Sequence, residues 1–68
     1  MNFKEKILDL NENDLQRVYE IANSKDIYSE FLMDTFELDG SFTNSQLEDI
    51  SKVCKEVSEI KQFSLEEK

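Results

Sequence analysis

Carboxylates are the residues with which this chain could do chemistry. Seven acids, Asp26, Glu30, Asp34, Glu37, Asp39, Glu48 and Asp49, lie between positions 26 and 50, a stretch without a single Lys or Arg. The first four follow one another at spacings of four, four and three, which on a helix puts them on one face. Carboxylates at one-turn intervals stand about 5–6 Å apart. That is of the same order as the charge spacing along a nucleic-acid strand. Like charges so placed repel by a few tenths of a kcal/mol per pair, and nothing within the helix offsets the cost. The row is either an ordinary wet face or an acidic ridge that meets a basic surface. Met33 lies beside it on the helical wheel, where a soft side chain adds apolar contact.

The C-terminal part of the chain patterns its charges differently. There Glu48 precedes Lys52, Lys52 precedes Glu56 and Lys55 precedes Glu59, each by four residues. Such pairs support a solvated helix face. One segment thus neutralises itself while the other is left uncompensated, and the uncompensated one is the candidate site.

Other constellations have weaker claims. Residues 34–48 have the outline of half an EF-hand, with Gly40 at the sixth loop position. Thr35 and Gln46 then stand where an Asp and a bidentate Glu are required. Cys54 is the only cysteine and histidine is absent, so neither an intrachain disulfide nor a four-ligand zinc site is available. Cys54 falls on an apolar stripe, where a thiol is inert. Two-carboxylate catalysis needs a cleft that separates two pKa values, and a chain this short is expected to leave little room for the usual ~300 Å³ pocket. A helix-turn-helix role fails because the helix in the recognition position would present Asp26, Glu30, Asp34 and Glu37 to phosphates. The expectation is a protein that is not an enzyme and carries no cofactor or metal.

Four helices are expected to position these side chains. There is no proline and only one glycine, Gly40, so sharp breaks are few. A short helix is expected at about Phe3 to Leu8, with Phe3, Ile7 and Leu8 on one side. Asn11 reads as an N-cap, with Leu10 and Leu15 at hydrophobic-staple positions. The helix that follows, about 12–22, buries Leu15, Val18, Tyr19 and Ala22. That stripe does not continue in phase into Ile27, Phe31 and Phe36, so a turn is expected near Asn23 and Ser24, with Ser24 as the next N-cap. A third helix over about 25–37 would bury Ile27, Tyr28, Phe31, Leu32 and Phe36. Leu38-Asp39-Gly40-Ser41 is a turn, with Gly40 free to take a positive φ. Thr43 and Gln46 then form a capping box, with Phe42 and Leu47 as its staple. The last helix, about 44–62, turns Leu47, Ile50, Val53, Cys54, Val57 and Ile60 inward, and the tail from Ser64 is expected to fray. The fold class is all-α: one acidic domain over 1–68, a small bundle of three main helices plus a short N-terminal one.

At 68 residues and 38% hydrophobic composition, the core is thin, of the kind that supplies about 3–5 kcal/mol. A second chain is the most economical staple, so a homodimer is one expectation. The segment MNFKEKILDL is too polar for a signal peptide, and no run approaches the ~20 apolar residues of a membrane span; the reading is cytosolic. A net charge of −8 disfavours direct binding to nucleic acid or anionic membrane, and it suits a basic protein surface.

In size, charge and helicity the chain is similar to the small acidic helical inhibitors, anti-CRISPR proteins and DNA mimics among them, that phages and mobile elements direct at host nucleic-acid machinery. That likeness is one of kind and rests on no shared motif. The functional expectation is an inhibitor whose ridge of Asp26, Glu30, Asp34, Glu37 and Asp39, with Met33, Glu48 and Asp49, covers the basic surface of a nucleic-acid-binding partner. The alternative is a self-associating adaptor or antitoxin-like module that binds through apolar surface, its acidity serving solubility.

Overall fold

The computed structural model describes residues 3–66, and these are all-helical, with no strand. Helix α1 spans Phe3–Leu8, α2 Glu12–Asn23, α3 Glu30–Phe36 and α4 Asn44–Ile60. The longest, α4, lies between α1 and α2, and α3 packs across α1 and α2. Lys4 meets Glu56 at 3.8 Å, and the Lys61 ammonium donates to the Leu10 carbonyl at 2.5 Å, so α1 runs parallel to α4. The Ser51 hydroxyl donates to Asn23 Oδ1 at 2.7 Å and Lys25 meets Glu48 at 3.3 Å, so α2 runs antiparallel to it.

Capping explains the starts of α2 and α4 as the sequence placed them. Asn11 Oδ1 accepts from the Asp14 amide at 2.8 Å. Thr43 Oγ1 accepts from the Gln46 amide at 3.1 Å, while Gln46 Oε1 accepts from the Thr43 amide at 2.8 Å, closing the capping box. One core joins all four helices through Ile7, Leu15, Val18, Tyr19, Ala22, Leu32, Phe36, Phe42, Leu47, Ile50, Cys54 and Val57. Phe36 meets Phe3 and Phe42 edge-on, with ring centroids 5.1 and 6.3 Å away, geometries that suit the ring quadrupole. The Arg17 guanidinium sits 4.5 Å from the Phe31 ring centroid and ties α3 to α2.

The third helix is much shorter than the expected 25–37. Ser24 closes α2, with its amide bonded to the Glu20 carbonyl, and Lys25 turns left-handed at φ 61°. The Asp26 carboxylate then accepts from the Tyr28 amide at 3.2 Å, and Ser29, not Ser24, caps α3 by accepting from the Leu32 amide. These short polar side chains offer the backbone partners outside a helix, and residues 24–29 take them. The turn is held further by the Phe42 amide, which donates to the Ile27 carbonyl at 2.9 Å. Tyr28, expected inward, is therefore 70% exposed, and Ile27 and Phe31 are only partly buried.

The end of α4 also differs from expectation. Gln62 adopts φ 57°, and the Phe63 amide donates to the Ser58 carbonyl at 2.8 Å, a Schellman-type closure that stops the helix at Ile60. Ile60 is 61% exposed rather than inward. The tail through Glu66 is docked, not frayed: Gln16 Nε2 donates to the Glu66 carbonyl at 2.9 Å and Gln16 Oε1 accepts from its amide at 2.8 Å. The last two residues of the expected frayed tail lie outside the described residues.

Two predictions follow from the helix ends. Thr43→Ala removes the cap of the longest helix and is expected to lower stability by about 0.5–2 kcal/mol in urea denaturation, with Asn11→Ala behaving similarly at α2. Gln62→Gly relieves a left-handed backbone that disfavours any side chain, and is expected to raise stability by about 0.5–1 kcal/mol in the same assay.

Candidate functional site: an acidic groove beside helix α3

The short helix and the turn after it carry the candidate site. Glu37 follows Phe36 in a left-handed conformation, φ 55°, and the Leu38 amide reaches back to the Met33 carbonyl at 3.0 Å. This reversal folds the segment 38–40 against the outer side of α3. Gly40 has φ 97°, and a Cβ added there would meet nothing within 4 Å, so backbone conformation rather than crowding calls for glycine. Between helix and turn lies an open groove of about 490 Å³, lined by Glu30, Met33, Asp34, Glu37, Leu38, Asp39 and Gly40. Depressions of this size were not expected of so small a chain. Short helices joined by reversing turns leave clefts at the surface without hollowing the core.

Of the eight site residues read from the sequence, the fold brings together Glu30, Met33, Asp34, Glu37 and Asp39. Asp26 is not on the helix, so the expected row of four carboxylates on one face of α3 does not form; Asp26 belongs to the turn before Ser29. Glu48 and Asp49 lie in the first turns of α4, and Glu48 borders a separate depression with Ala22, Lys25 and Ser51.

The acids are also less uniformly uncompensated than their spacing implied. Glu37 meets Lys6 of α1 at 3.4 Å, and Glu48 meets Lys25. Glu48 and Glu56 reach lysines on other elements, not Lys52 within their own helix. Glu30, Asp34 and Asp39 have no basic nitrogen within 4 Å among the described residues. They are exposed, while Met33 and Leu38 are half-buried against the core. The result is a groove with an apolar floor and a carboxylate rim, suited to a cationic group with an aliphatic or aromatic neighbour.

Tyr28 was missed as a surface residue. The sign that could have revealed it was Asp26 and Ser29, two cap-forming side chains three apart, with Glu30 in the first turn after Ser29. Among the described residues, no group of three or more His, Cys, Asp or Glu is close enough to hold a metal ion. The two side chains that close the EF-hand-like pattern are engaged elsewhere: Thr35 Oγ1 donates to the Phe31 carbonyl at 2.7 Å, and Gln46 belongs to the capping box. Among the same residues no helix is long and apolar enough to cross a membrane.

Cys54 lies in the core, and burial pushes its thiol up from 9.0 to about 12. Comparison with protein-family models, curated proteins and solved structures finds no match to this chain.

The raised thiol fixes the direction of a pH effect. The neutral thiol is the form the fold accommodates, so its stabilising contribution is complete below pH 9 and is lost as pH rises from 9 toward 12. Wild type is expected to lose stability relative to Cys54→Ala across that window, as measured by denaturation at successive pH values. At pH 8, a thiol reagent is expected to modify Cys54 only as fast as the fold opens.

Proposed function

We propose that this chain is a non-catalytic binding protein that lays the acidic groove beside α3 against the basic, nucleic-acid-binding surface of a partner protein. The observation that carries this reading is the rim of Glu30, Asp34 and Asp39, without ion-pair partners among the described residues, around Met33 and Leu38. Charge complementarity would steer the encounter and set specificity, and the apolar floor would supply contact area after docking. The loss of Asp26 from the helix changes the form of the mimicry. A compact patch of carboxylates, not a straight row, would meet the lysines and arginines that otherwise hold phosphates. An inhibitor of this kind belongs in the cytoplasm, where phage- or mobile-element-encoded blockers of defence or transcription machinery act.

A second reading, self-association through apolar surface, has one observation in its favour. Leu8 and Ile60 are exposed, and each follows a member of the Lys4–Glu56 pair by four residues on the parallel helices α1 and α4. Added salt separates the readings, because it weakens charge-driven docking and leaves apolar association intact.

The test is charge reversal. Glu30→Lys with Asp34→Lys is expected to leave stability within about 0.5 kcal/mol, since a lysine at position 30 meets the unfavourable end of the helix dipole while one at position 34 gains Glu37. Capture of the partner from host lysate at ~0.15 M salt is expected to be lost with this variant and kept with Glu56→Lys/Glu59→Lys. Nucleic acid should compete with the captured complex. Equal capture by both reversed forms would remove the groove from the binding surface.

A further inference from the structure

A second surface is built around the C-terminal segment, and it has the features of a peptide-binding groove filled by the chain's own tail. After the left-handed Gln62, residues 63–66 leave the helix, with Phe63 and Leu65 half-buried against the core and Ser64 and Glu66 exposed. This alternation of two is the side-chain pattern of an extended strand, not of a helix end. The segment is held at the far end by Gln16, whose side chain both donates to the Glu66 carbonyl and accepts from the Glu66 amide. An amide side chain that satisfies both main-chain groups of one residue reads backbone, not sequence; the apolar seats beside it read side chains. Around Phe63, Ser64 and Leu65 the surface is completed by Tyr19 of α2 and by Lys55, Ser58 and Glu59 of α4, which leave a depression of about 340 Å³. Two apolar seats two residues apart with a backbone clamp beyond them are the elements of extended-peptide recognition.

We propose that this surface is a docking site for an extended segment of a partner protein carrying two apolar side chains two residues apart, followed by a basic residue, and that the tail 63–66 occupies it in the absence of that partner. The basic residue follows from charge. The seat next to Gln16 holds Glu66 on a protein whose net charge is −8, so a cation at that point is favoured over the chain's own carboxylate. The tail is tethered, and a tethered ligand competes at an effective concentration in the millimolar range. A partner segment therefore binds the wild-type chain with its dissociation constant divided by the small fraction of time the site is free, that is, more weakly. The left-handed Gln62 is the hinge about which the tail would leave, since α4 ends before it at Ile60 and the docked Phe63 and Leu65 follow it.

The experiment uses the full chain and a fluorescent peptide with the sequence of residues 61–66 bearing Glu66→Lys. Phe63→Ala with Leu65→Ala should weaken the tail and leave the groove intact. This variant is expected to bind the peptide at least tenfold more tightly than wild type, and Gln16→Ala in the same background is expected to abolish the gain. The unsubstituted peptide should bind more weakly than its Glu66→Lys form. Should the double variant lose its helical circular dichroism, Leu65→Ala alone carries the comparison, with a gain of about threefold. No gain in a variant that keeps its helices overturns the proposal, as does a gain that survives Gln16→Ala. A concentration-dependent dimer of wild type that disappears with Phe63→Ala/Leu65→Ala would assign the groove to the tail of a second copy and overturn the partner assignment.

Discussion

The apolar stripe of α4 is the constraint on which the rest of the structure depends. Leu47, Ile50, Cys54 and Val57 are fully buried at successive turns of the longest helix. Helices α1 and α2 cover them from two sides, one parallel and one antiparallel. A 68-residue chain with one cysteine cannot close an intrachain disulfide. A single continuous core runs through its helices, and a core that small has to be close-packed. The capping box at Thr43 and the Schellman-type closure at Gln62 fix where this stripe starts and stops, so they also set the limits of the core.

Because α1, α2 and α4 provide most of the core, α3 can be a short satellite. It has seven residues, and what attaches it is Leu32 and Phe36 in the core, the two edge-on aromatic contacts of Phe36, and the Arg17–Phe31 stack. A helix held mainly through one side is free to carry any charge on the other. The acidic groove is thus compatible with the fold without being required by it. Three helix ends are closed by left-handed residues that are not glycine, Lys25, Glu37 and Gln62, while the only glycine sits in the loop beside the groove. Such conformations persist only where surrounding packing over-determines them. Each lies where the chain turns toward a surface feature: the Asp26 turn, the acidic groove and the docked tail.

The helices, their order and most of the core could be read from the sequence because they rest on local signals. Asn11 and Thr43 cap as their side chains dictate, and the stripes Leu15-Val18-Tyr19-Ala22 and Leu47-Ile50-Cys54-Val57 are buried as their spacing requires. The phase break between α2 and α3 was also legible, but its length was not. Ser24 and Ser29 are both competent N-caps, and helical phase alone could not choose between them. The choice fell to contacts made at a distance, with the Phe42 amide on the Ile27 carbonyl and Phe36 set between Phe3 and Phe42.

The sequence by itself determined an all-helical chain, the acidity of residues 26–50, and a buried Cys54, since side-chain type and local spacing decide each of these. Only the tertiary structure decided which acids stand together. It removed Asp26 from the helix, gave Glu37 to Lys6 and Glu48 to Lys25, and left Glu30, Asp34 and Asp39 around Met33 and Leu38. It also seated the tail on Gln16, fifty residues away in the chain. Ion pairs and clamps between distant segments depend on how helices cross, and no local rule of spacing carries that information.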